Sequence, residues 1–328
     1  MCSSDLFREA GLPHRFIPGA IAFGSITFTM TSAGSPEIQN LIPIQYLVDR
    51  ATRAPLTDAT AGWPVSLVAA AFMFGAGQAY LEWAIRRELR LPSDAAATTG
   101  VDACSGSGAA LSEMHRLPGL WASLTPLVVT LAALNVAPRL WPAFPEDPTI
   151  AIFAGVVAAI ACLGPYASPG PALAEGFGDG LIAIGATGSV VGFGFALRDL
   201  PAFERVVAWA TSLPGDPLIG AALSVAVIAG MAGSASGGQG LALPIIKPIF
   251  IDQLGVAPRA LHRVVAIASG SLDSLPANGY IVMLIRNVCG ETHARAYGPI
   301  FVLTVLIPLA GTALAIALYH AFPSLANW

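Results

Sequence analysis

Three apolar segments of this chain stop at a short polar interruption and then resume. The first interruption lies in "TMTSAGSPEIQNLIP" (29–43), between apolar runs at 16–28 and 38–47. Neither run has the roughly 20 residues that a helix needs to cross a bilayer. Because unpaired backbone N–H and C=O groups cannot face lipid, an interrupted membrane helix must be buried in protein or line a wet cavity. We interpret this stretch as a broken transmembrane helix, and we call residues 31–37 the first break.

The composition agrees with a membrane protein. Hydrophobic residues make up 55% of the 328 residues and charged residues only 11%, with a mean hydropathy of +0.69. Soluble domains carry about 25% charged residues. The sequence therefore predicts an all-α, multi-pass protein of the bacterial inner membrane, a helical bundle whose main partner is the lipid bilayer.

Several classes of partner are not expected. No basic tract is present, so nucleic acid is an unlikely partner on charge grounds. The cysteines show neither metal-ligand spacing nor a disulfide framework, and we predict no metal site and no cofactor beyond a coupling ion, H⁺ or Na⁺. These cysteines are Cys2, Cys104, Cys162 and Cys289.

A second interruption matches the first in composition and in position. In "VVAIASGSLDSLPANGYIVMLI" (264–285), an apolar half-helix ends at small and hydroxyl residues, and a second half-helix begins after Asn278. We call residues 269–278 the second break. A full-length apolar segment follows each break at a similar distance, at 61–82 and at 297–320. This correspondence predicts two inverted repeats, as found in transporters.

The third interruption has a different form. In "AVIAGMAGSASGGQGLALPIIKPIF" (226–250), two apolar arms flank a turn rich in Gly, Ser and Gln at 233–239. Neither arm is long enough to span the membrane comfortably. We predict a re-entrant hairpin over 216–253, with its tip inside the protein.

The predicted organisation follows from these features. Residues 1–6 are interpreted as an artefact that precedes the C-terminal part of a longer protein, with a genuine short cytosolic start as the alternative. The end of the first repeat covers 7–82, with a broken helix at 15–48 and a helix at 61–82. A linker at 83–118 is predicted to be cytoplasmic, because it contains Arg86, Arg87 and Arg90. The second repeat covers 119–328, with helices at 119–137, 149–164 and 178–197, the hairpin at 216–253, a broken helix at 259–288 and a helix at 297–320.

The chemistry of the breaks favours an anionic ligand. Freed N–H groups at a half-helix N-terminus carry a partial positive charge that suits a carboxylate. No Arg or Lys lies within any of the three interruptions, so we expect backbone dipoles and neutral side chains to hold the anion. Asp273 and Glu37 are ionisable groups at apparent membrane depth and are the candidates for coupling to an ion. Asp273 could instead cap the half-helix that follows it, and Glu37 could lie at a membrane interface.

Four stretches resemble the GntP family of gluconate-type permeases, within the ion-transporter superfamily. They are "ITFTMTSAGSPEIQNLIP" (26–43), "VVGFGFALRDLPAF" (190–203), "GSASGGQGLAL" (233–243) and "ASGSLDSLPANGYIVMLIRNVCGETHARAY" (268–297). The similarity is greatest to the branch associated with 3-hydroxybutyrate and related hydroxy or keto acids. It implies a cation- or proton-coupled symporter of organic anions, with two inverted repeats and no enzymatic activity. Two departures concern substrate and coupling: Ala277 stands where relatives have histidine, and Glu37 stands where a neutral amide is commoner.

The candidate substrate- and ion-binding residues lie in or beside the three interruptions. They are Thr31, Ser32, Gly34, Ser35, Pro36, Gln39, Asn40, Ser234, Ser236, Gly237, Gln239, Ser269, Ser271, Asp273, Ser274, Pro276 and Asn278.

Other functions remain open at this point. Na⁺ could replace H⁺ as the coupling ion. "SASG" at 234–237, with His262 as a base, faintly resembles an intramembrane serine hydrolase, although His262 and the other histidines are expected to face solvent. A channel would need a filter-like repeat or charged ring, and none is evident. A homodimer is expected only by analogy with transporters of this architecture.

Overall fold

The computed structural model describes residues 7, 10–28, 31–90, 118–141, 148–166, 168–198, 200–201, 205, 208–209 and 215–328. Within these ranges the protein is helical, and its single β-bridge joins Val48 to Pro55. The α-helices are α1 (Ile17–Ala22), α2 (Ile38–Tyr46), α3 (Trp63–Leu89), α4 (Leu120–Asn135), α5 (Ala137–Leu140), α6 (Pro148–Leu163), α7 (Pro169–Arg198), α8 (Pro217–Ala232), α9 (Ala235–Lys247), α10 (Pro258–Leu272), α11 (Gly279–Met283), α12 (His293–Phe301) and α13 (Ile307–Ala321).

Segments of π-helix extend four of these helices. They continue α1, α9, α11 and α12, at Phe23–Phe28, Pro248–Gln253, Leu284–Val288 and Val302–Leu306. Such segments are uncommon in proteins and often occur at functional sites. Here one of them leads into the first break and another follows the second break.

Two helical stretches within the described residues are long and apolar enough to cross a bilayer, Trp63–Leu89 and His293–Ala321. Shorter apolar helices occur at Leu120–Asn135, Thr149–Leu163 and Pro217–Ala232. The apolar segments on either side of the first and second breaks form short helices in the structure, α1 and α2 in one case and α10 and α11 in the other. The inverted relation between the two predicted repeats stays a prediction.

The two largest differences between predicted and observed helix boundaries concern α3 and α7. Helix α3 ends at Leu89 rather than at 82, so the first residues of the predicted linker are helical. Arg86 and Arg87 lie in its last turn, where cations interact favourably with the helix dipole, and Glu88 forms an ion pair with Arg15. Helix α7 begins at Pro169, nine residues before the predicted start at 178. The predicted artefact at 1–6 and the linker residues 91–117 lie outside the described residues.

Helices α8 and α9 form a helical hairpin whose turn is shorter than the predicted tip at 233–239, and its re-entrant path in the membrane stays a prediction. Helix α8 ends at Gly233, which has a left-handed φ of +63°, and α9 begins at Ala235. Ser234 caps α9 by accepting a hydrogen bond from the Gly237 amide at 3.2 Å. The turn therefore consists of Gly233 and Ser234, and the remaining residues of the predicted tip (235–239) form the first turns of α9.

Two apolar clusters hold the broken helices in place. One joins α2 to the hairpin and α10, through residues such as Ile42, Val225, Leu243 and Val265. The other joins α3, α10 and α13. Because α10 belongs to both clusters, it lies at the centre of the packing, and its residues from Ala260 to Ser271 are all buried.

Candidate functional site

Hydrogen bonds from neighbouring segments stabilise the backbone of the first break at Gly34. Gly34 adopts a left-handed φ of +78°, a conformation that glycine adopts without strain. Its N–H donates to the Ala59 carbonyl at 2.7 Å, and its carbonyl accepts from the Asn135 side chain of α4 at 2.8 Å. The polar backbone freed by the break is therefore satisfied by neighbouring segments, as burial requires.

Asn40, in the first turn of α2, and Asn278, at the N-cap of α11, make a similar hydrogen bond beside the two breaks. The Asn40 amide donates to the carbonyl of Ser35, five residues earlier, at 3.0 Å. The Asn278 amide likewise donates to the carbonyl of Asp273, five residues earlier, at 2.8 Å. Each asparagine thus bonds back to the carbonyl five residues before it and so stabilises the irregular backbone of its break. This local similarity agrees with the predicted correspondence between the breaks.

Arg263 of α10 reaches across to the first break. Its side chain is 0% exposed. Its guanidinium donates to the Thr31 carbonyl at 2.6 Å, to the Asn40 side-chain oxygen at 2.9 Å and twice to the Ala61 carbonyl, at 2.9 and 2.8 Å. All of these acceptors are neutral. The first break therefore has a buried positive charge beside it.

This arginine corrects the expectation that only dipoles and neutral side chains surround the ligand. No basic residue lies within the interruptions in the sequence, yet α10 brings one to the first break in space. A basic residue within a predicted membrane helix was itself a signal, since ionisable side chains at membrane depth are rare and usually functional. What the sequence did not show was which neighbouring segment it contacts.

The hairpin tip meets the second break. The Asn278 amide donates to the Gly233 carbonyl at 2.9 Å, and the Gln239 amide donates to the Ser269 hydroxyl at 2.7 Å. The Asp273 carboxylate accepts from the Ser274 hydroxyl at 2.9 Å and lies near the Ala235 amide, at the N-terminus of α9. Asn278, not Asp273, caps the following half-helix α11, by accepting from the Ile281 amide at 3.0 Å.

The half-helices α2 and α9 lie against each other. The Tyr46 hydroxyl, near the end of α2, lies 3.8 Å from the position that a Cβ of Gly240 would occupy in α9. In the segments that follow the two helices, Arg50 forms an ion pair with Asp252 at 3.0 Å.

The end of α10 reaches the first break. A Cβ on Gly270, in the second break, would lie 3.8 Å from the Thr31 methyl group. Because the second break also bonds to the hairpin tip, through Asn278 and Gly233, the first break, the second break and the hairpin tip meet in one region.

Most of the candidate residues are buried. The buried ones are Thr31, Ser35, Gln39, Asn40, Gly237, Gln239, Ser269, Ser271, Asp273, Ser274 and Asn278. Ser234 and Ser236 are half-buried at the hairpin turn, with their hydroxyls 3.2 Å apart. Pro276 is exposed.

The rest of the first break borders a groove. Ser32, Gly34, Pro36 and Glu37 line it together with Leu127 and Leu131 of α4, and its volume is about 380 Å³. Glu37 is exposed at the N-cap of α2. Glu37 is therefore not a buried group, and its place relative to the membrane interface stays a prediction.

The expectation that every histidine faces solvent is wrong for His262. This residue is 0% exposed, and its Nδ1 lies 2.7 Å from the Thr57 hydroxyl. It lies near the start of α10, as expected, but this part of the helix is itself enclosed by protein, since every residue from Ala260 to Ser271 is buried. The hydroxyl of Ser236 bonds to Ser234 instead, so the serine and histidine considered for a hydrolase each have another partner.

One comparison with known proteins is informative. No family profile matches the chain, and no solved structure matches it. The chain is 30% identical, over an alignment of 353 residues, to an uncharacterised transporter of Bacillus subtilis (strain 168), YxjC. The alignment covers 97% of this chain and 72% of that protein. An all-helical membrane protein with interrupted helices that meet in its interior is consistent with this relative, and the chain belongs to the transporter family of YxjC.

Proposed function

We propose that this protein is a secondary active transporter that moves a small organic anion across the bacterial inner membrane together with a proton. The anion is a hydroxy or keto carboxylate, such as gluconate or 3-hydroxybutyrate. Membership of a transporter family supports transport in general. The anion and the coupling ion are inferred from the residues at the breaks.

The single observation that carries the proposal is the meeting of two broken helices and a hairpin tip around α10. Three sets of freed backbone groups and their polar side chains then share one buried region. Irregular backbone at membrane depth is tolerated where it is buried in protein or lines a cavity, and transporters bind substrate at such discontinuous helices. Isolated kinks in ordinary helices would have no reason to converge.

Coupling to a cation is inferred from Asp273. Its carboxylate is buried in the second break and has no cationic partner among the described residues. An acidic group inside a membrane protein commonly belongs to a proton relay or an ion site. Ser274 and the neighbouring oxygen groups would also suit Na⁺, which is therefore the second candidate for the coupling ion.

The proposal is tested by uptake into proteoliposomes that contain the purified protein. Radiolabelled gluconate and 3-hydroxybutyrate are offered under an imposed pH gradient and, separately, under a Na⁺ gradient. Uptake driven by the pH gradient is the expected result. Uptake that follows only the Na⁺ gradient would replace H⁺ by Na⁺, and no uptake of either acid would overturn the proposed substrate class.

Asp273→Asn is expected to separate coupling from exchange. Asparagine has the size of the protonated carboxyl group but cannot release a proton. Net uptake driven by the pH gradient should fall at least about tenfold, whereas exchange of labelled for unlabelled acid across the membrane should continue. Glu82→Gln, which alters an exposed acid paired with Arg86 on α3, is the control and should leave both activities unchanged. Full gradient-driven uptake in Asp273→Asn would remove Asp273 from the coupling role.

A further inference from the structure

Two buried charges of opposite sign, neither of them in an ion pair within the described part of the chain, lie on α10 and at its end. Arg263 bonds only to neutral acceptors. Asp58, on the facing loop, interacts electrostatically with Arg263 but forms its ion pair with Arg259. Asp273 bonds to a hydroxyl and lies near a backbone amide. The two charges are ten positions apart, roughly 15 Å along a helix, too far to form an ion pair. Burying an unpaired charge costs several kcal/mol, so each is expected to have a function that requires it.

The first break has a buried positive charge beside it, that of Arg263, and the N-terminus of α2 adds a partial positive charge. The acid of the first break, Glu37, is exposed beside the groove, whereas Asp273 is buried in the second break. A second, independent feature indicates a ligand here. Gln39, in the first turn of α2, is only 8% exposed. Its side-chain oxygen is buried and has no hydrogen-bond partner. An unsatisfied buried acceptor is costly unless a ligand supplies the missing donor.

The hairpin tip has a negative charge beside it, that of Asp273. The N-terminus of α9 would otherwise be a second site for an anion, but the Asp273 carboxylate already lies beside its first amide. A substrate carboxylate there would be repelled by Asp273. A proton or a metal cation would be attracted to the same place.

We propose that the two solutes bind at opposite ends of this region. The carboxylate of the substrate binds at the first break, beside Arg263 and the N-terminus of α2, and a hydroxyl group of the substrate donates to Gln39. The coupling cation binds at Asp273, at the hairpin tip. This assignment rests on the proposed function and narrows the substrate to a hydroxy acid, because a keto group has no hydrogen to donate.

Equilibrium binding tests the assignment independently of transport. The affinity of the purified protein for gluconate and 3-hydroxybutyrate is measured from the rise in its thermal unfolding temperature with ligand concentration. In Arg263→Gln the affinity should fall roughly 30-fold or more, as when one member of a buried charge pair is truncated. In Asp273→Asn the affinity for the anion should be retained. Arg259→Gln, a change of the same kind four positions earlier on α10, is the control and should bind within about twofold of wild type.

Arg263→Lys covers the case in which Arg263→Gln fails to fold. Lysine keeps the positive charge but loses the planar fork of donors. It should bind the anion more weakly than arginine, and its binding should still depend on the charge of the ligand, with gluconate bound and the uncharged gluconamide not bound. Wild-type affinity in Arg263→Gln, equal binding of gluconate and gluconamide by Arg263→Lys, or loss of anion binding in Asp273→Asn would each overturn the assignment.

The role of Gln39 is tested by comparing 3-hydroxybutyrate with butyrate. Wild type should bind the hydroxy acid more tightly, because butyrate leaves the Gln39 oxygen unpaired. In Gln39→Met, which has a similar length but no acceptor of comparable strength, the two acids should bind alike. A preference for the hydroxy acid that survives in Gln39→Met would overturn this part of the proposal. Failure of the proposed function would instead appear as the absence of binding and uptake in the wild-type protein.

Discussion

Gly238→Ala is expected to destabilise the protein by about 3 kcal/mol, because it forces the two arms of the hairpin apart. A Cβ on Gly238 of α9 would lie 2.3 Å from the Ala229 Cα and 2.7 Å from the Ala229 nitrogen, on α8. These are backbone atoms and cannot rotate away. Since the arms carry Gly233 and Gln239 to the second break, their separation should also weaken gradient-driven uptake. The thermal unfolding temperature of the purified protein measures the first effect.

Two further variants make this prediction specific. The first is Gly240→Ala. Gly240 is two positions after Gly238 on α9, and a Cβ there would meet nothing closer than the Tyr46 hydroxyl at 3.8 Å. It should be neutral or slightly stabilising, because alanine favours helix by up to about 1 kcal/mol over glycine. Ala229→Gly removes only a methyl group, so it should not rescue Gly238→Ala. Equal stability of Gly238→Ala and Gly240→Ala would show that the arms do not pack as closely as described.

Asn278→Ala is expected to destabilise the second break by roughly 3–5 kcal/mol and to abolish uptake. The side chain makes three hydrogen bonds, two as donor to the carbonyls of Gly233 and Asp273 and one as acceptor from the Ile281 amide. Its removal leaves the two carbonyls without this donor and α11 without its cap. It also removes the hydrogen bond between the second break and Gly233 of the hairpin turn. Thermal unfolding and proteoliposome uptake measure the two consequences.

Asn278→Ser separates the cap from the connection to the hairpin. Serine is a good N-cap residue, but it is too short to donate to both carbonyls. If the connection to Gly233 and Asp273 matters most, Asn278→Ser should be nearly as unstable as Asn278→Ala. Recovery of wild-type stability in Asn278→Ser would mean that the asparagine acts only as a cap.

The broken helices could be predicted from sequence because their signals are local. Glycine, proline and hydroxyl residues interrupt apolar runs that are too short to span the membrane, and the structure ends its helices at these places. The breaks around Gly34 and Asn278 are clear examples. Lipid leaves few alternatives for backbone groups that are freed in this way.

The hairpin turn was predicted less well, because glycine occurs both in turns and at places where two helices pack closely. The run Gly237-Gly238 was interpreted as part of a turn, yet both residues are helical. Gly238 is required by the close approach of Ala229, a contact between segments that cannot be inferred from local composition. Ser234 was the better local signal, since a serine ahead of a helix commonly caps it.

The candidate site was only partly predictable, for a similar reason. The neutral polar residues could be selected by their position in the breaks. Arg263 and His262 lie in an apolar helix outside the breaks, and their importance depends on which segments that helix faces. Thr31, Asn40 and Thr57, which contact these two side chains, are more than 200 positions away in the sequence. Helical periodicity predicts a buried face but not the partner against which it packs.

The bonds made by Arg263 also bear on how the protein tolerates cleavage of its chain. They join α10 to residues 31–61, and the apolar cluster shared by α3, α10 and α13 joins the same two parts of the sequence. Noncovalent contacts therefore hold the residues before Arg90 against those after Gly215. A single proteolytic nick between these parts would leave two polypeptides that still migrate as one particle.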